Sequence, residues 1–227
     1  MQLIQIIYED DYILAVNKPP RVLSVPSSDS DRKESLPILL KRQLPRQSFF
    51  PLHRLDYGTS GVMLFGKDES HRSALEGIFS SPDTNKKYIA LVLGNPKYKT
   101  GRITKPLPAR TKKKFVPAST HYKVEQEFTS PPTSLISCII DTGRKHQIRQ
   151  HMASINHPIV MDDLYGNEKF NRQFRMILHL GRQFLHSESI DFIHPITKLP
   201  THIEAPLTPD LQSIIKKLKS TRPVNIK

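Results

Sequence analysis

Within the 227 residues, the run His53-Arg54-Leu55-Asp56-Tyr57-Gly58-Thr59-Ser60-Gly61 best combines a chemically capable group with a means of aiming it. Gly58 and Gly61 permit a tight backbone path, and β-prone segments on either side would hold the loop. A carboxylate presented there can act as a nucleophile, so Asp56 is the candidate catalytic residue. The bland alternative is an ordinary turn in which Asp56 caps neighbouring amides.

A second constellation, Asp141-Thr142-Gly143-Arg144-Lys145-His146-Gln147-Ile148-Arg149-Gln150-His151, gathers cations and amides where a loop enters a helix. Helix N-terminal amides also favour anions, so Arg144, Lys145, His146 and Gln147 are candidates for holding phosphate or carboxylate. Arg149 adjoins the apolar stripe through Ile148 and should point inward or to a cleft edge, where a buried arginine requires a partner. A solvated charged face is the competing reading. His146 and His151 are five apart, about 140° around a helix, and there is no CxxC pair, so a zinc site is disfavoured. Cys138 lies in an apolar strand and reads as packing. Tyr88 opens another strand; taken alone it is a strand-start aromatic. Lys105, Arg110, Lys112, Lys113 and Lys114 lie among prolines, which suits an extended arm along a phosphate backbone.

Lysine and arginine number 34 against 21 acidic residues, a formal charge of +13 that makes nucleic acid the default partner. No apolar run is long enough to cross a bilayer, no secretory leader is evident, and the one cysteine excludes an internal disulfide. These features imply a soluble protein of the reducing cytoplasm with no membrane partner.

The elements that must position these groups follow from pattern. Tyr12 to Val16, Val62 to Phe65, Tyr88 to Leu93 and Ser134 to Ile140 read as strands, and Ser189 to Ile193 with Thr201 to Ala205 as a hairpin. Residues 27–35 read as an exposed loop before a helix bearing Leu36, Ile38, Leu39 and Leu40. A helix is expected from Ser70 to Phe79, another from Lys145 that ends at Asn156 before Pro158, and a third from Pro209 with Leu211, Ile214, Ile215 and Leu218 inward. An α+β domain around a mixed, largely antiparallel sheet fits this order. It is expected to be one domain over residues 1–227, made of two fused halves, with a basic, frayed tail over residues 219–227.

Taken together these segments resemble the RluA family of RNA pseudouridine synthases, from about Tyr8 to Leu211. Tyr12-Ile13-Leu14-Ala15-Val16-Asn17-Lys18-Pro19 is similar to the first motif, and His53-Arg54-Leu55-Asp56 with Thr59-Ser60-Gly61 to the catalytic motif. Lys87-Tyr88-Ile89-Ala90 is similar to the tyrosine motif. Gly143-Arg144, His146-Gln147-Ile148-Arg149, His151, His157-Pro158-Ile159, Asp162 and Leu164-Tyr165-Gly166 are similar to the third. Lys145, Asn156 and Met161 depart from the commonest pattern, Asn156 harmlessly because Asn tolerates positive φ.

The resemblance implies an active cleft across the middle of the sheet, with Asp56 as catalytic aspartate and Tyr88 stacking on the target base. Arg149 would pair with Asp56, Arg54 would help hold RNA from which the uridine is flipped, and Leu178 would line the uracil pocket. No cofactor is called for. A carboxylate can attack C1′, as in glycosidases, or abstract a ribose proton to give a glycal. Lys145 with Thr120-His121-Tyr122 resembles the branch acting near the tRNA T-stem. The short length resembles the branch acting on the tRNA anticodon loop and 23S rRNA. The chain is expected to work as a monomer without the S4 module of some relatives. The rivals are a non-catalytic RNA-binding protein that retains the fold and, more weakly, a glycoside or nucleoside hydrolase.

Overall fold

The computed structural model describes residues 3–26, 34–109 and 114–220. In chain order the strands are β1 (Gln5–Glu9), β2 (Ile13–Lys18), β3 (Phe50–Pro51), β4 (Ser60–Gly66), β5 (Asn85–Leu93), β6 (Thr100–Ile103), β7 (Leu107–Pro108), β8 (Phe115–Val116), β9 (Thr120–Thr129), β10 (Pro132–Ile140), β11 (Leu185–Ile193) and β12 (Pro200–Glu204). The helices are α1 (Leu36–Gln43), α2 (Arg72–Glu76), α3 (Gln147–Ser154), α4 (Glu168–Leu178) and α5 (Pro209–Lys219). The fold is α+β, with a mostly antiparallel mixed sheet and few helices. The chain forms two compact units, one of residues 1–86 and 187–206, the other of 87–186 and 207–227.

In the first unit β2, buried along its whole length, pairs antiparallel with β1 and β4, and β3 pairs with the far end of β4. Ile13, Ala15, Val62 and Leu64 alternate onto one face, where Phe50, Leu75 and Ile190 cover them. The hairpin of β11 and β12 runs Ser189 opposite Glu204, as its alternation predicts.

The second unit orders its strands β5, β10, β9, β6. Period-2 alternation along β5 sends Ile89 and Leu91 to one face, under Phe174 and Leu178 of α4 and Leu211 and Ile214 of α5. Ala90 and Val92 go to the other face, under Ile148 and Met152 of α3. Burying a side chain such as Leu or Phe contributes roughly 1.5–3 kcal/mol, so each helix is held mainly by these rows.

One expectation is corrected. The Ser70 to Phe79 helix is only Arg72–Glu76 in α form, with 3-10 turns at Glu69–His71 and Gly77–Ser80. Gly77 weakens the helix interior and Pro82 forbids continuation, so the apolar spacing is met by a tighter coil. The lysine-rich segment pairs at its described ends, Leu107 opposite Val116 and Pro108 opposite Phe115, and Leu107 is buried. Its Arg110, Lys112 and Lys113 lie outside the described residues, as do most of the loop expected at 27–35 and of the tail.

β9 and α4 carry no expectation from the sequence. β9 alternates Tyr122, Val124 and Phe128 with charged residues and has no apolar run. α4 buries Phe174 and Leu178, begins where the Asn167 side chain accepts from Phe170 N–H and ends at left-handed His179.

Candidate active site

Asp56 heads a β-turn closed by the Thr59 N–H donating to the Asp56 carbonyl at 3.0 Å. The residue before the turn is fixed twice by one hydroxyl: Ser24 Oγ donates to Leu55 O at 2.7 Å and accepts from Leu55 N–H at 2.9 Å. The Arg21 N–H donates to Tyr57 O at 2.7 Å, and the loop carrying Arg21 and Ser24 is itself gathered by Lys18. The Lys18 side chain is fully buried and its Nζ donates to the carbonyls of Pro19 at 3.0 Å and Val22 at 2.9 Å.

Upstream, β3 runs along β4 until Leu52 N–H meets Leu64 O, and the next acceptor is a side chain: His53 Nε2 accepts from Leu64 N–H at 3.0 Å. Its ring stacks on Phe79 at 4.1 Å. Burial, with the Lys86 charge adding to it, pushes the His53 imidazole down to about 3, so it serves as a neutral acceptor. Downstream, Gly61 has φ +112°, and a Cβ there would lie 2.0 Å from the Ser187 carbonyl oxygen. Asp56 itself is half-buried and Arg54 exposed.

In the second unit Arg149, on the inward side of α3, is seated on a carboxylate. Its Nε donates to Asp162 Oδ2 at 2.7 Å and its Nη2 to Oδ1 at 2.9 Å, with the Asp162 side chain wholly buried. Oδ1 also accepts from the N–H groups of Leu164 at 2.9 Å and Tyr165 at 3.0 Å. Burial alone would raise the Asp162 pKa. The Arg149 hydrogen bonds, the Tyr165 and Leu164 amides and the arginine's charge outweigh it, and the group stays below the usual carboxylate range. The Tyr165 ring lies 5.2 Å from Arg149 Cζ, and its hydroxyl is 3.2 Å from Nδ1 of His146, which opens α3 in a left-handed conformation.

A family model described as RNA pseudouridylate synthase matches residues 12–154. The chain is 34% identical over 96% of its length to the ribosomal large subunit pseudouridine synthase C of Vibrio vulnificus, covering 70% of that protein. It is 35% identical over 84% of its length to the dual-specificity RNA pseudouridine synthase RluA of Vibrio parahaemolyticus, covering 78% of it. The chain belongs to the RNA pseudouridylate synthase family. The solved human RNA pseudouridylate synthase domain containing 4 shares its fold, with a TM-score of 0.76 at 21% identity over 96% of this chain and 94% of that one. Such synthases are RNA isomerases, and the α+β architecture and the RluA-family resemblance stand.

The remaining expected site residues of this synthase are distributed as follows. Tyr88 is half-buried on β5 opposite Cys138, and Leu178 is 3% exposed in the α4 and α5 core. Gln147 is buried with its amide committed: Nε2 donates to Ser119 O at 2.8 Å and Oε1 accepts from Thr142 Oγ1 and Arg144 N–H. It closes the loop into α3. Arg144 is exposed and its Nε donates to Pro117 O at 3.3 Å; Lys145 and Lys114 are exposed, and His146 is half-buried. Among the described residues no group of three or more His, Cys, Asp or Glu could hold a metal, and no helix is long and apolar enough to cross a membrane. Cys138 is buried and its thiol is pushed up to about 12 by that burial, which suits packing.

The bracing residues Ser24, Lys18 and Asp162 were not marked as site residues by the sequence. Ser24 gives no signal, since its partner is 31 positions away. Asp162 could have been found: it is the acid following the apolar run Ile159-Val160-Met161, and a buried Arg149 demanded one.

Proposed function

We propose that this chain isomerises specific uridines in structured RNA, with Asp56 acting at C1′, Tyr88 stacking on the flipped base and Arg149 keeping Asp56 ionised. The observation that carries the reading is the turn: Asp56 stands on a backbone pinned from both sides by Ser24, Arg21 and the His53 anchor. A backbone fixed in this way suits a group that must meet one carbon in one place. Detaching the uracil, turning it and rejoining it through C5 asks for such a group and for no cofactor. Tyr88 has the flat face needed to retain the detached base.

The names of the most similar relatives favour large-subunit rRNA as substrate, and the dual-specificity relative keeps tRNA in view. The +13 charge supports a polyanionic partner, with Arg54, Arg144, Lys145 and Lys112 to Lys114 as its contacts. The protein is proposed to act alone in the cytoplasm.

Asp56→Ala tests this. With 23S rRNA and tRNA transcripts carrying uridine tritiated at C5, the variant should release no tritium while binding RNA and melting like wild type. Turnover comparable to wild type would remove Asp56 from the chemistry. Free uracil from the wild-type protein would replace isomerisation by hydrolysis.

A further inference from the structure

We propose that Asp162 is a positioning residue for the isomerisation, acting through Arg149 by holding its guanidinium in one plane and one direction. This rests on the reading of Arg149 as part of the catalytic apparatus.

The arginine side chain carries about 2 kcal/mol of rotamer entropy, so an unclamped guanidinium would deliver its charge to a volume rather than a point. Here Nε and Nη2 both bond Asp162, a two-pronged arrangement that fixes the plane of the group and the direction of its remaining edge. Tyr165 adds its ring at 5.2 Å from Cζ.

The clamp is itself clamped. Besides the Leu164 and Tyr165 amides on Oδ1, the peptide bearing Asp162 is gripped by Asn171 of α4. Asn171 Oδ1 accepts from Met161 N–H at 2.8 Å, and its Nδ2 donates to Asp162 O at 2.9 Å. Met161 adopts φ +63° to bring this about, a conformation that is uncommon for such a side chain. A backbone strained and then gripped to present one carboxylate is a large investment for stability alone. Buried ion pairs are commonly no more stabilising than apolar replacements. What the pair does supply is direction.

The test compares kcat and KM on the tritiated 23S rRNA and tRNA transcripts for Asp162→Asn, Arg149→Lys and the double variant. Asn keeps the shape and one acceptor but not the charge. Asp162→Asn should lose about 10- to 100-fold in kcat with KM within about twofold of wild type, in keeping with a misplaced group near reacting atoms. The double variant should be no slower than Arg149→Lys, because the two residues act as one. Wild-type kcat in Asp162→Asn beside a slow Arg149→Lys would overturn the positioning role and leave Arg149 catalytic. Wild-type kcat in Arg149→Lys would instead sink the reading of Arg149. Should Asp162→Asn not fold, the wild-type protein decides: Arg149 Nε–H should show slow rotation and slow solvent exchange by NMR, and fast values would overturn the clamp.

Discussion

The two places that carry the proposed chemistry are braced by opposite means. The Asp56 turn is held by neutral hydrogen bonds from Ser24, His53 and main chain, with glycine where side chains would collide. The Arg149 seat is held by a buried pair of charges. A loop has no side-chain row to pack, so its backbone must be bonded directly. A helix already has its backbone satisfied, and only the end of a long side chain needs fixing. The first region should accordingly fail through geometry and the second through charge.

The most damaging single change to the turn is Gly61→Ala. The new Cβ would lie 2.0 Å from the Ser187 carbonyl oxygen at φ +112°, so strain and overpacking add. Together they should cost about 3–5 kcal/mol, seen as a shifted urea midpoint, with activity lost even where the protein remains folded. A midpoint within experimental error of wild type would show that β4 and β11 can separate there at little cost, and the turn would then not be geometrically pinned.

How much of this could be read beforehand depended on distance along the chain. The apolar runs of β2 and β4, the Asn156 stop of α3 and the inward row of α5 are local signals, and each appears as expected. Asn156 and Met161 do adopt positive φ, at 64° and 63°, the positions where glycine is commoner in the family. β9 escaped because four of its residues are charged or amide-bearing and its period-2 signal rests on Tyr122, Val124 and Phe128. The role expected of Asp56 is legible in its loop as well as in the motif resemblance, and that expected of Arg149 in the resemblance. Their supports came only from structure, because Ser24 meets Leu55 and Asn171 grips Asp162 through contacts that no spacing encodes.

The contrast sharpens with acid. His53, held neutral and pushed down to about 3, has a depressed folded-state pKa. Its contribution is complete above the unfolded value near 6.5 and is lost as pH falls from there toward 3, at up to about 1.4 kcal/mol per unit. Asp162 is also depressed, but from a carboxylate's starting point, so its share is lost only below about 4. The turn should therefore weaken first. Between pH 6.5 and 4.5 wild type should lose about 2–3 kcal/mol that His53→Gln, with no proton to gain, does not lose. Urea melts at the two pH values check this, and parallel losses in both proteins would take His53 out of the acid response.

The smallest effect is the most specific. Ser24→Ala removes a hydroxyl that both donates to and accepts from Leu55, leaving a buried N–H and C=O beside Asp56. Unmet buried groups of this kind should cost about 1–2 kcal/mol, enough to shift a melt without unfolding the protein. The sharper expectation concerns rate: a loosened Leu55 lets Asp56 wander, so kcat should fall about tenfold with RNA affinity kept, and Ser24→Thr, which restores the hydroxyl, should recover most of it. The same tenfold loss in Ser24→Thr would point to lost space rather than a lost hydrogen bond. An unaltered kcat in Ser24→Ala would mean that Arg21 and His53 aim the turn without Ser24, which would then serve folding only.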